Sequence, residues 1–252
     1  AKRTLADAQV PFEVPRGEQL NERLGSVLEV VYLVFNEGYT ATSGADWMRP
    51  ELCNEALRLG RMLAELAPEQ AEVHGLVALM EIQASRTAAR TDAEGNPVLL
   101  NQQNRSRWDH LLIRRGLAAL ARADALNQPL GSYRLQAQIA ACHARAPSAE
   151  VTDWHRIAAL YARLARSTGS PVVRLNHAVA VGMADGAAAG LAIVETLMQD
   201  KALPRYHWLH AVRGDLLEKL GRGEDPAFTV RTMVVGAAWL VRRNDRQPAG
   251  KP

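Results

Sequence analysis

Aromatic side chains are scarce in this 252-residue chain: Phe, Tyr and Trp together make up 5%. A core with few rings has to be filled by Ala, Leu and Val, and small side chains let helix backbones approach closely at native packing density. Cysteine is nearly absent. Cys53 and Cys142 stand alone inside helical patterns, forming neither a CxxC pair nor a secreted disulfide framework, so both read as buried free thiols of a reducing compartment. Lysine occurs only at Lys2, Lys201, Lys219 and Lys251. The positive charge is therefore arginine, interleaved with acids to a net +3, without the dense basic patch of a nucleic-acid footprint. No apolar run reaches the ~18 residues of a bilayer span, and no secretory leader is visible, so a cytoplasmic protein with no membrane partner is expected. Also missing are HExxH, GxSxG, a P-loop and a GxGxxG after a strand. The chain is expected not to be an enzyme, and to hold no cofactor and no metal.

What is present is helical periodicity. Apolar residues make up 48% and charged residues 23%, ordinary for a globular chain, and the apolar ones recur at helical spacing with no strand pattern between them. A first helix is predicted from about Leu20 to Phe35. Its apolar set, Leu24, Val27, Leu28, Val31, Leu33, Val34 and Phe35, is too wide for a surface helix, which places it centrally. Gly38 fits the left-handed position after its last turn. Pro50 opens a second helix and Pro68 ends it; the next carries Val73, Leu76, Val77, Met80 and Ile82, and the two form a first hairpin. Further helices are predicted over about 108–125, 133–144, 152–164, 171–181, 188–198 and 206–220. His177-Ala178-Val179 recurs as His210-Ala211-Val212, each copy leading to a Gly-containing turn at Gly186 and Gly221. An interval near 34 residues with two helices per unit is the tetratricopeptide period. The fold class is all-α: stacked antiparallel helical hairpins in a TPR-like right-handed solenoid.

Several polar groups stand out against this pattern. Residues 91–103 form the longest irregular stretch, with turn chemistry at Asp92-Ala93-Glu94-Gly95-Asn96-Pro97; long loops in compact domains are often functional. Arg86 and Arg90 precede it, and Gln103, Asn104, Arg105, Arg107 and Trp108 follow it. These side chains either anchor the loop or grip a carboxylate or phosphate through bidentate arginine. Asn36-Glu37-Gly38-Tyr39 reads as a helix end tied down by polar side chains, since a single Glu makes a weak case for acid–base work. Thr152 is the candidate N-cap of the helix that follows, with Asp153 favourable to its dipole and Trp154 a core anchor. His207 and His210 share a face but lack a third ligand nearby, and read as structural.

Taken in order, the segments Val31–Tyr39, Glu72–Met80, Gln103–Trp108, Ile139–Ala144, Thr152-Asp153-Trp154 and Leu175–Ala180 resemble the C-terminal, tetratricopeptide-like extension of bacterial extracytoplasmic-function RNA polymerase sigma factors of the sigma-70 family. The resemblance covers roughly positions 1 to 225. It implies that Ala1-Lys2-Arg3 is the tail of a promoter-reading helix and that sigma domains lie upstream in cis. Through those domains the intact protein would bind core RNA polymerase and promoter DNA and direct transcription initiation. The extension would then regulate sigma activity, with a regulatory protein as its partner. Asn104 stands where the family usually has Asp, and His177 where it usually has Arg.

Three parts follow: residues 1–19, a helix tail and Pro-containing linker; 20–225, the helical domain; and 226–252, a divergent tail. The candidate interaction or structural cluster is Asn36, Glu37, Tyr39, Arg86, Arg90, Gln103, Arg105, Arg107, Trp108, His143, Asp153, Trp154 and Asn176. The alternative function is a small-molecule sensor holding its ligand near the 91–108 loop.

Overall fold

The computed structural model describes residues 18–41, 48–199 and 206–222. Of the helix tail and linker expected over 1–19, Glu18 and Gln19 already belong to the first helix; residues 1–17 and the tail expected over 226–252 lie outside the described residues. Nine α-helices follow one another among them: α1 Glu18–Tyr39, α2 Pro50–Leu66, α3 Ala71–Ala84, α4 His110–Ala125, α5 Ser132–Arg145, α6 Trp154–Thr168, α7 Pro171–Ala184, α8 Ala187–Met198 and α9 His207–Lys219. Short 3-10 turns punctuate the α3–α4 connection. Strand-type pairing among the described residues is confined to an isolated antiparallel bridge, Thr91 to Pro97, which closes the Asp92–Asn96 turn. No helix among them is long and apolar enough to cross a membrane.

The helix ends follow local chemistry. Pro50 and Pro171 occupy first-turn positions, where a missing N–H costs nothing. Asp109 accepts from the backbone N–H groups of Leu111 and Leu112 and starts α4. Asp153, not Thr152, caps α6: its Oδ1 accepts from Arg156 N at 2.9 Å. Thr152 is occupied otherwise, as described below. Gly169, at φ +63°, ends α6 in the left-handed conformation that glycine adopts without steric cost.

Most helices pack mainly on their sequence neighbours, as stacked hairpins do, with α5 the exception, since it packs most on α3. Four buried clusters run along the stack rather than forming one centre. Two expectations about the pairing need correction. The central helix is α3, not α1: every residue of α3 except Glu72 is buried, enclosed by α1, α2, α4 and α5. Apolar residues around its whole circumference require exactly such enclosure. The hairpin partner of α3 is α4, across the long loop, while α2 pairs with α1. The His-Ala-Val repeat does fall on corresponding first helices, α7 and α9, and Gly186 and Gly221 after them both take positive φ.

Gly38 also departs from expectation. It lies inside α1, and its value is the space it leaves. A β-carbon there would lie 2.6 Å from Cys53 N and 2.8 Å from Arg49 O, so the start of α2 can press directly on α1.

Candidate functional site

The 85–109 connection is nailed to the stack by its arginines. Ser85 O accepts from Asp109 N at 2.8 Å, and Val98 N donates to Arg90 O at 2.8 Å, so the excursion leaves and returns at one place. Arg90, buried, donates through Nη1 to the carbonyl of Tyr39 and through Nη2 to Thr40 Oγ1 at 3.1 Å. Its guanidinium centre sits 3.6 Å from the Tyr39 ring centroid, a cation–π contact. Arg86 reaches the same ring at 6.0 Å. Tyr39 stacks in turn on Phe35. Thus the end of α1 is held by two cations from the start of the connection that follows α3.

Arg105 does the same for the second half of the stack. Nη1 donates to His143 O at 2.5 Å and to Ala146 O at 2.6 Å, while Nη2 reaches Thr152 Oγ1 at 3.4 Å. These carbonyls close α5, whose last turn has no intrahelical donors for them, and a cation there complements the helix dipole. The guanidinium lies 4.8 Å from the Trp108 ring centroid. Trp108, buried, precedes α4 rather than belonging to it. Gln103 donates to Val98 O at 3.1 Å, and Asn104 caps the adjacent 3-10 turn by accepting from Ser106 N. Anchoring is the role these contacts describe.

His143, on α5, packs edge-on against Trp154, with centroids 5.3 Å apart. Burial, with the charges of Arg86 and Arg105 nearby, pushes its imidazole down to about 3, so it is neutral at physiological pH. Tyr32 donates to Gln136 Oε1 at 3.2 Å and also hydrogen-bonds Asn36; burial raises its phenol, and that of Tyr161, far above the usual range. Of the residues singled out in the sequence, Asn36, Tyr39, Arg86, Arg90, Gln103, Arg105, Trp108, His143 and Trp154 belong to this linked interior. Asp153 borders it as the α6 cap. Glu37 faces outward toward Arg49 at 3.9 Å. Arg107 is exposed and donates to Thr91 O at 3.3 Å. Asn176 is buried on α7.

The sequence reading missed a reciprocal pair of caps between distant segments. Gln128, in the α4–α5 loop, accepts from Ala71 N at 3.0 Å and donates to Glu69 O at 2.7 Å, closing the start of α3. Glu72 of α3 accepts from Tyr133 N and Arg134 N and closes the start of α5. A glycine just ahead of α5 was the available signal, but its partner lies far along the chain.

A cleft of about 430 Å3 opens beside this region, between the end of α1 and the start of α2, with Tyr39, Cys53, Leu57, Arg61 and Leu112 in its walls. Burial raises the Cys53 thiol to about 11, which leaves it an inert thiol at neutral pH. The described residues contain no group of three or more His, Cys, Asp or Glu placed to hold a metal ion.

Fold and interior together define a stacked-hairpin helical domain whose connections are held by the buried Arg86 and Arg90 and the half-buried Arg105. Residues 23–124 match a family of unknown function (DUF6596). An uncharacterized protein of Rhizobium meliloti (strain 1021) is 46% identical over 255 residues, covering 99% of this chain and 60% of that protein. The chain therefore spans less than two thirds of that relative's length. No solved structure matches.

Proposed function

We propose that this chain is the regulatory, protein-interaction domain of an extracytoplasmic-function sigma factor of the sigma-70 family, and that the intact protein directs transcription initiation. One observation carries the reading. Segments that resemble the sigma-factor extension, scattered from Val31 to Trp154, meet in one interior: Tyr39 under Arg90, Arg105 on the end of α5, His143 against Trp154. A family pattern that coincides with the joints of a scaffold is a pattern for holding shape. A helical stack held rigid in this way presents an extended surface to a partner. The rest of the relative's length leaves room for polymerase- and promoter-binding domains in cis.

Promoter-specific transcription by the full-length protein, with and without residues 20–252, tests the proposal. Loss of activity or of its regulation on truncation is the expected result. Unchanged activity together with unchanged regulation overturns it.

A further inference from the structure

The width of the first helix's apolar set has a second consequence. The core uses Leu24, Leu28, Val31, Tyr32, Phe35 and Tyr39. Val27, Val30 and Leu33 are left 42%, 59% and 54% exposed. At about 100° per residue, Arg23, Ser26, Val27, Val30, Leu33, Val34 and Glu37 all fall within about 60° of Val30, in one strip. The first five are exposed, while Val34 and Glu37 are half-buried at its C-terminal end, where Val34 also packs against the core. The strip is thus apolar, with the Arg23 cation at one end and, at the other, the Glu37 carboxylate, which also lies 3.9 Å from Arg49 of its own chain.

We propose that this face of α1 pairs with the same face of a second copy of the chain, antiparallel, about a two-fold axis at Val30. The strip is complementary to itself in that register. Val30 meets its own counterpart, Val27 meets Leu33, and Ser26 meets Val34. Arg23 and Glu37 each lie seven residues from Val30, about 10.5 Å along the axis, so each Arg23 stands level with the Glu37 of the other copy. A two-fold interface requires this reciprocity, with i on j and j on i. The parallel alternative sets Arg23 against Arg23 and Glu37 against Glu37. The charges set direction and register more than affinity. Two helices touching over about four turns bury less than the roughly 800 Å2 per partner of a standard complex. Association is therefore weak and concentration-dependent. The inference does not depend on the proposed function.

Sedimentation velocity on the whole chain across a micromolar concentration series reads the association directly. A reversible dimer is expected, with Val30→Glu raising its dissociation constant at least about tenfold while the far-UV spectrum and melting temperature stay unchanged. Arg23→Glu and Glu37→Arg should each weaken the dimer, and the double exchange should restore it in part, since Glu37→Arg also sets a cation beside Arg49. Placement is checked by oxidation: Val30→Cys should cross-link to itself, whereas Ser26→Cys alone should not. Ser26→Cys mixed with Val34→Cys should cross-link. A chain that stays monomeric throughout, a dimer indifferent to Val30→Glu, or self-linking of Ser26→Cys equal to that of Val30→Cys overturns the proposal. Any of these would leave the strip to some other occupant.

Discussion

Glu72 on α3 and Gly131 ahead of α5 share one space: a β-carbon on Gly131 would overlap the Glu72 carboxyl group. That carboxylate accepts from Tyr133 N at 2.9 Å and Arg134 N at 3.2 Å, donors that a helix start leaves without intrahelical partners. Alanine at position 131 should therefore act mainly by displacing the cap. Gly131→Ala and Glu72→Ala are each expected to cost about 1 to 2 kcal/mol. The double variant should cost clearly less than their sum, because both remove one interaction. Urea unfolding of the four proteins measures this, and additive losses would refute the shared-space argument.

Arg105 joins three segments with one planar group. Lysine has the charge but not the fork, so it cannot hold the carbonyls of His143 and Ala146 while lying against Trp108. Arg105→Lys should destabilise nearly as much as Arg105→Ala, about 2 to 3 kcal/mol for charge-assisted bonds to carbonyls left partly buried. Hydrogen exchange should locate the loss in the last turn of α5 and the first of α6. Full stability in the lysine variant would show that charge alone suffices.

Two helical glycines should respond oppositely to alanine. Gly38 presses on Cys53 and Arg49, and added bulk there must push α1 from α2, at a cost of about 1 to 3 kcal/mol. A β-carbon at Gly214, in α9, meets nothing within 4 Å. Its replacement should stabilise by about 0.5 to 1 kcal/mol through the unfolded chain and helix propensity. Thermal denaturation separates the two signs.

His143 gives the chain an acid-sensitive joint. Its folded value of about 3 lies below the ordinary 6.5, so between these the unfolded chain binds the extra proton. Its contribution to stability is complete above about pH 6.5 and is lost as pH falls toward 3, at up to about 1.4 kcal/mol per pH unit for one proton. His143→Gln should flatten that part of the stability–pH curve relative to the unsubstituted chain. Equal slopes in both proteins would remove His143 as the cause.

Helices and their proline starts were legible because each is decided within a turn or two of sequence. Arg90, Arg105 and Trp108 stand out in the sequence as polar or aromatic residues flanking the irregular stretch, and His143 entered through the resemblance. Their partners were not legible. Arg90 bonds Tyr39 and Thr40, and Arg105 bonds the end of α5, through contacts that span the loop between them. Thr152 looked like a cap because its type and position fit one, yet its hydroxyl meets Arg105 and Asp153 takes the cap.

The sequence by itself determined the all-helical class, since a 3.6-residue apolar period without alternation admits no sheet. It also supplied more apolar residues on the first helix than one core face can use. Only the tertiary structure decided which of them face inward, because burial depends on neighbours brought from elsewhere. It made α3 the enclosed helix and α4 its partner, and it left Val27, Val30 and Leu33 outside. Periodicity encodes a face; what that face meets is set by packing between segments far apart in the chain.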